Sequence, residues 1–259
     1  MRTFDTASPG VVTTVGSFSG AATSVQDIDF RISNGLLYGY NRSTNSVVTI
    51  DPTTAFTTLA STPTTASNNT SFGIDFNPVA DRLRLVNLND QNLRIDVATG
   101  ATTVDGTLAY AAGDPNFGVN PSILQAAYTN NDNNPGTGTT LFYLDVDLNT
   151  LVSTSNPNGG VLNTVGALGV DITVDSGFDI FTDANGVNTG YVLSSPGSAT
   201  FYTINLATGA ATSVGAFGAV HPFGLAIAPP APPAVPEPGT ALAGVMMAGL
   251  CGALRRRRA

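Results

Sequence analysis

The sequence predicts an all-β chain: a β-propeller of five four-stranded blades, one of them composite, followed by a C-terminal hydrophobic helix. Three observations carry that expectation. A unit of roughly 46–53 residues repeats along the chain, a period that suits propeller blades. Each unit reads as four short runs of 4–6 residues separated by turn residues. A single uncharged apolar run stands apart at the end, behind a proline-rich segment.

The first strand of each unit carries the clearest signature. Asp27-Ile28-Asp29-Phe30 is echoed by Gly73-Ile74-Asp75-Phe76, Gly177-Phe178-Asp179-Ile180 and Gly224-Leu225-Ala226-Ile227, with a weaker copy at Gln125-Ala126-Ala127-Tyr128. The second strand is an apolar run such as Leu36-Leu37-Tyr38-Gly39-Tyr40 or Leu83-Arg84-Leu85-Val86. The third is a Thr-Ile-Asp type run, at Val48–Asp51, Leu93–Asp96, Phe142–Asp147 and Tyr202–Asn205. The fourth closes on Val-Gly or a similar pair, as at Thr14-Val15-Gly16, Thr103-Val104, Thr164-Val165-Gly166 and Ser213-Val214-Gly215. Ser33-Asn34-Gly35, Thr99-Gly100 and Thr208-Gly209 supply turn residues that tolerate left-handed geometry.

Four complete units begin near Asp27, Gly73, Gln125 and Gly177. The fifth is split. Gly224 to Ala228 would provide its first strand, and Phe4–Asp5 with Val11–Gly16 its third and fourth, so the two ends of the domain would share one blade. Its second strand has no counterpart in the sequence. An open sandwich or a six-bladed ring is the alternative. Domain organisation follows: residues 1–229 form the repeat domain, 230–235 a proline-rich linker, and 236–259 a separate tail.

Composition narrows the function. The chain has no lysine, one glutamate (Glu237), one histidine (His221) and one cysteine (Cys251, inside the apolar run), with a net charge of −8. A lysine-free acidic surface does not bind nucleic acid, because phosphate contacts need Lys and Arg. The repeat domain has no disulfide, so a packed core must hold it, for which about 225 residues suffice. Met1-Arg2-Thr3-Phe4-Asp5 carries no apolar leader, and the expectation is that this start is truncated or misassigned.

The tail has its own physics. Pro236-Glu237-Pro238 precedes an uncharged run over 240–254, and Arg255, Arg256, Arg257 and Arg258 follow. Fifteen residues make about 22 Å of helix, short of the ~20 residues that span a bilayer comfortably. Arginine snorkelling and bilayer thinning would cover the deficit. The arginines would stay cytoplasmic and the preceding residues would lie outside the inner membrane. Pro236 and Pro238 keep the approach extended, as a processing enzyme requires.

Motif, span and basic stop in that order resemble the PEP-CTERM sorting signal of Gram-negative bacteria that make extracellular polysaccharide. The resemblance implies export, transient anchoring in the inner membrane, and cleavage near Pro236-Glu237-Pro238 by an exosortase-type enzyme. The repeat domain itself resembles an uncharacterised bacterial domain of unknown function. Ser71–Pro78, Asp81–Val86, Gln91–Arg94, Ala126–Asn130 and Val165–Asp171 carry that resemblance. It implies secretion, often with such a tail, and no particular activity.

Several constellations are candidates for chemistry. Asp29, Asp75 and Asp179 share one position of the first strand, which lines the channel of a propeller. They could bind a cation or do acid–base work on a sugar, or accept backbone N–H bonds and lock their blades. Ala127 and Ala226 interrupt the ring. Arg82, Arg84 and Arg94 lie in one unit, and Arg82 and Arg84 share a strand face. They could hold an anionic sugar, but ion pairs with Asp75, Asp81 or Asp96 are the expectation. The segment Asn130–Gly138, with Asp145 and Asp147, and the loop at Asp183-Ala184-Asn185-Gly186 offer oxygen ligands for calcium. Solvated hairpin loops explain them more simply, since the later ligands of an EF-hand are missing. His221 has no Gly-x-Ser-x-Gly partner, and the sole cysteine, Cys251, lies inside the apolar run rather than in the repeat domain.

The expectation is therefore a non-enzymatic protein with no catalytic residue, metal site or cofactor. It would be a structural or polysaccharide-binding module of the cell surface or extracellular matrix. A glycosidase using the channel aspartates and a calcium-stabilised adhesin are the rivals.

Overall fold

The structure, a computed structural model, describes residues 1–132, 134–195, 197–218 and 223–229. His221, the linker 230–235, Pro236-Glu237-Pro238, the expected helix over 240–254 and Arg255 to Arg258 lie outside the described residues. Residues 1–229 form one compact unit. Among the described residues there is no α-helix, and no helix long and apolar enough to cross a membrane.

The chain opens with β1 (Arg2–Asp5) and β2 (Ser8–Thr14), an antiparallel hairpin, and the two-residue β3 (Ser19–Gly20). Blade 1 follows as β4 (Asp27–Arg31), β5 (Leu36–Asn41), β6 (Ser46–Ile50) and β7 (Phe56–Ser61). Blade 2 is β8 (Phe72–Asn77), β9 (Arg82–Asn87), β10 (Asn92–Ile95) and β11 (Thr102–Val104). After β12 (Ala109–Tyr110), blade 3 is β13 (Ile123–Tyr128), β14 (Leu141–Asp145), β15 (Thr150–Asn156) and β16 (Val161–Ala167). Blade 4 is β17 (Ser176–Thr182), β18 (Asn188–Ser194), β19 (Ala199–Ile204) and β20 (Ala211–Gly218). Within every blade consecutive strands pair antiparallel in sequence order. The linker strands β3 and β12 add parallel to the outer strands β7 and β16.

The four units read from the sequence are thus four blades, and their first strands β4, β8, β13 and β17 stand side by side around the axis. The fifth blade is not formed. β1 and β2 pair only with each other, and Phe223–Pro229 adopts no ladder. The reason is the missing second strand: without it the segment at Gly224 and the hairpin have nothing to bridge them. Each still packs as an isolated piece. Leu225 and Ile227 join Leu193, Phe201 and Phe217 of blade 4 together with Phe4 and Val12, and Ala226 packs on blade 1. The protein is a four-bladed propeller, with a hairpin and an extended segment where a fifth blade was expected.

The core lies between blades, as the alternation of strand residues dictates. Tyr38, Tyr40 and Val47 of blade 1 meet Phe72, Ile74 and Phe76 of blade 2. Val86 meets Ile123, Ala126 and Tyr143 of blade 3. Leu124, Phe142 and Leu151 meet Phe178, Val192 and Ile204 of blade 4. The third-strand signature is a turn device. Asp51, Asp96 and Asn205 accept the N–H two residues on, from Thr53, Ala98 and Ala207, at 2.7, 3.0 and 2.9 Å. Gly100 and Gly209 then take φ of 78° and 83°, a region few other residues tolerate.

Candidate functional site

Strand alternation sends Asp29, Asp75 and Asp179 toward the next blade, on the face where Gly73 and Gly177 allow close approach. A Cβ on Gly73 would come within 2.4 Å of the Leu124 carbonyl oxygen. The inner strands are therefore near enough for one blade's carboxylate to reach the next blade's backbone. Asp29 accepts the Phe76 N–H at 2.7 Å, Asp75 the Tyr128 N–H at 3.1 Å, and Asp179 the Ile227 N–H at 2.6 Å. Asp27, two residues before Asp29, accepts the Ile74 N–H at 2.6 Å. Blade 3 has Ala127 at the ring position, and there the Gln125 side-chain amide donates to the Ser176 carbonyl at 2.8 Å instead. Every inner strand is thus fastened to its successor, and Asp179 fastens the closing segment.

The same geometry gathers charge. One carboxylate oxygen from each of Asp29, Asp75 and Asp179 lies within 4.8 Å of the others, and the three residues are 4 %, 1 % and 3 % exposed. Burial raises all their pKa values. Asp29 and Asp75 sit well above the ordinary carboxylate range, from desolvation first; the charge of Asp179 then raises Asp29, and those of Asp29 and Asp179 raise Asp75. Asp27 is raised by the same burial. Asp179 is pushed up to about 7 by desolvation, with N–H bonds from Ile227 and Ile180 pulling the other way. Such a cluster either keeps protons or holds a hard cation among its oxygens, at the ~2.3–2.6 Å typical of calcium.

Arg31, Arg82, Arg84 and Arg94 are spent on the protein's own carboxylates. Arg84 is 1 % exposed. Its guanidinium donates to Asp105 at 2.8 Å, Asn92 at 2.6 Å, Asn158 at 2.9 Å and the Tyr128 hydroxyl at 3.1 Å. Arg94 donates to the same Asp105 at 2.6 Å. Arg82 pairs with Asp96 at 3.2 Å, as expected from sequence, and Asp81 pairs instead with Arg31 of blade 1. Asp105, in the linker after β11, is the partner that sequence reasoning missed. Asp75 takes a backbone N–H rather than an arginine.

The calcium-loop candidates do not converge. Asp132 caps its own loop through the Asn134 N–H at 3.0 Å and the Thr137 hydroxyl at 3.2 Å. Asp145 ends β14, a strand away from that loop. It is fully buried and accepts from the Tyr110 hydroxyl at 2.7 Å and the N–H groups of Ser122, Asp147 and Leu148. Asp147 accepts from the Ser122 hydroxyl at 2.6 Å. Asp183 accepts the N–H groups of Asn185 and Val187, both at 2.8 Å. Asp132 and Asp183 thus close their own turns, and Asp145 and Asp147 tie the end of β14 to Tyr110 and Ser122.

Comparison with known proteins agrees with the architecture. No curated protein matches. A solved structural genomics protein of unknown function from Bacteroides thetaiotaomicron aligns over 84% of this chain and 56% of its own, at 14% identity and a TM-score of 0.55. An auxiliary nutrient binding protein from the same organism aligns over 70% of this chain and 47% of its own, at 16% identity and a TM-score of 0.43. The chain spans about half the length of these solved structures. At such identity the first shows likeness of fold alone. The family model of a domain of unknown function, DUF4394, matches residues 1–226, and the chain belongs to that family.

Proposed function

We propose that this chain is an exported cell-surface or extracellular-matrix protein whose propeller is a non-catalytic structural or polysaccharide-binding module. In this reading the 240–254 span holds it briefly in the inner membrane. An exosortase-type enzyme then processes it near Pro236-Glu237-Pro238, and Arg255 to Arg258 act as the membrane stop. The order of motif, span and arginines supports the sorting step.

The observation that carries the non-catalytic part is the use made of the channel carboxylates. A glycosidase needs two carboxyls flanking an open, substrate-sized site. Asp29 and Asp75 are instead buried and bonded to the backbone of the next blade, and Asp179 to that of the closing segment. Incubating the purified chain with exopolysaccharide from a producing strain tests the reading. Co-sedimentation without release of reducing ends is expected. Reducing ends that disappear on Asp75→Asn would establish the glycosidase instead.

One observation favours a second reading, a calcium-stabilised adhesin: the three carboxylate oxygens within 4.8 Å. Melting in excess calcium and in chelator separates the two. A saturable rise with calcium, lost on Asp75→Asn, supports the adhesin; identical melting in both removes it.

A further inference from the structure

The inner strands run in the same direction and in step. Asp27 reaches the Ile74 N–H of the next blade and Asp29 the Phe76 N–H, and Asp75 repeats the relation with Tyr128. Gln125 stands where blade 1 has Asp27, so by that register it lies opposite Phe178 of blade 4. Its amide nitrogen turns the other way, toward the start of β17, and donates to the Ser176 carbonyl at 2.8 Å. The oxygen and nitrogen of an amide diverge from one carbon, so Gln125 Oε1 points back along the strand, toward the level of Ala127. That level holds Asp29, Asp75 and Asp179, and Ala127 is the place in the four-bladed ring without a carboxylate. Gln125 is 1 % exposed, and its Oε1 meets no donor among the described residues.

A buried acceptor without a donor calls for a partner. Here it borders three carboxylate oxygens within 4.8 Å of one another, so a partner common to all of them is positive. Arg82, Arg84 and Arg94 are paired elsewhere. Three carboxylates and one amide carbonyl are hard oxygen donors, one from each blade. The backbone N–H bonds aim the carboxylates in advance and leave lone pairs over, since an ionised carboxylate can accept several bonds. Calcium takes carboxylate and amide oxygens at about 2.3–2.6 Å, whereas magnesium keeps several waters. A buried cage of protein oxygens suits calcium.

We infer that Asp29, Asp75, Asp179 and Gln125 form one calcium site on the propeller axis, in which the Gln125 carbonyl takes the place of the carboxylate that blade 3 lacks. The inference rests on the calcium reading above for its cation, adds a ligand to it, and does not require adhesion.

Calorimetric titration of calcium into chelator-stripped full-length protein tests it, together with terbium luminescence lifetimes in light and heavy water, which count the waters on the bound ion. One saturable site per chain is expected. Asp75→Asn should weaken it at least about a hundredfold; Asp29→Asn serves should that variant fail to fold. Gln125→Leu keeps bulk and removes the oxygen, so it should weaken calcium about tenfold and admit one more water to terbium. Loss of the Ser176 bond alone would lower melting in chelator without changing the water count. Binding that is lost on Asp75→Asn, with affinity and water count unchanged in Gln125→Leu, would overturn the inference and leave the calcium reading standing. No saturable heat would remove both. Binding abolished by Asp132→Asn would place calcium in the exposed loop and overturn the axial site.

Discussion

The Asp179 carboxylate accepts the backbone N–H of Ile227 at 2.6 Å, and this bond joins blade 4 to the segment that closes the ring. Asp179 lies on β17, forty-eight residues before Ile227. No strand pairing holds Phe223–Pro229 among the described residues. Its attachment rests on this bond, on the apolar contacts of Leu225 and Ile227, and on the approach of Gly177 to Gly224.

Asp179→Ala therefore leaves a half-buried N–H without its acceptor, at a cost of about 1–3 kcal/mol. At about pH 5 the melting temperature should fall by roughly 2–12 °C, given about 2–4 °C per kcal/mol in a domain of this size. Hydrogen exchange at the Ile227 amide should accelerate more than exchange in β8 or β13. Unchanged protection at Ile227 would refute the closure role.

Stability should decline as pH rises through the range where the channel carboxylates ionise. Asp27, Asp29, Asp75 and Asp179 all have pKa values raised in the folded state. The folded chain then binds more protons than the unfolded one, and unfolding free energy falls with pH. The stabilisation is complete below an unfolded value near 3.8 and is lost as pH passes through the folded values, about 7 for Asp179. Urea midpoints should drop as pH rises from near 3.8 through about 7. Asp29→Asn keeps an acceptor for the Phe76 N–H and removes a charge, so it should flatten that slope and stabilise the protein at the alkaline end. A midpoint that rises with pH in the wild-type protein would contradict this.

The repeat was legible because three inner strands carry related tetrapeptides and the fourth a weaker copy, and the similar Gly224-Leu225-Ala226-Ile227 suggested a fifth blade. A signature is not a sheet, however: a blade needs all its strands, and nothing in the sequence supplied the second. Convergence of Asp29, Asp75 and Asp179 followed from their common position on strands that line an axis. What each carboxylate touches did not, because the acceptor relation runs between residues about 47–53 apart and depends on how the blades stack. Asp105 was hidden for a related reason. It follows β11 in a linker with no periodicity, yet it sits between Arg84 and Arg94. β3 and β12 are two residues each, too short for any pattern to announce.

Burial separates the arginines sharply. The Arg84–Asp105 pair is 1% and 5% exposed, whereas the Arg82–Asp96 pair is 42% and 27% exposed. Arg84→Met removes the donor shared by Asp105, Asn92, Asn158 and Tyr128, and should cost about 3–5 kcal/mol, as breaking a buried pair does. Arg94 remains on Asp105, which favours the lower end. Arg82→Met, solvent-screened, should change stability by less than about 1 kcal/mol. Denaturant unfolding of the two variants side by side checks this, and equal effects would mean that the buried network does not hold blades 2 and 3 together.

Gly73 sets how near blade 2 comes to blade 3. Its virtual Cβ meets the Leu124 carbonyl oxygen at 2.4 Å and the Gln125 Cα at 2.7 Å. Both obstacles are backbone, so no side-chain rotation relieves the clash; β13 itself must move outward. Moving it lengthens the Asp75–Tyr128 bond, already 3.1 Å, and opens the packing of Val86 on Ile123 and Ala126. Gly73→Ala should therefore cost more than overpacking alone, about 1–3 kcal/mol, because a buried carboxylate loses part of its partner as well. Gly136→Ala provides the contrast: Gly136 is exposed in the short 3-10 turn Pro135–Thr137, and its nearest neighbour is the Asn134 side-chain oxygen at 3.2 Å. That substitution should leave the urea midpoint within error of wild type. Were Gly73→Ala equally silent, the inner strands would have more room than the geometry allows, and the carboxylate locks could not be what spaces the blades.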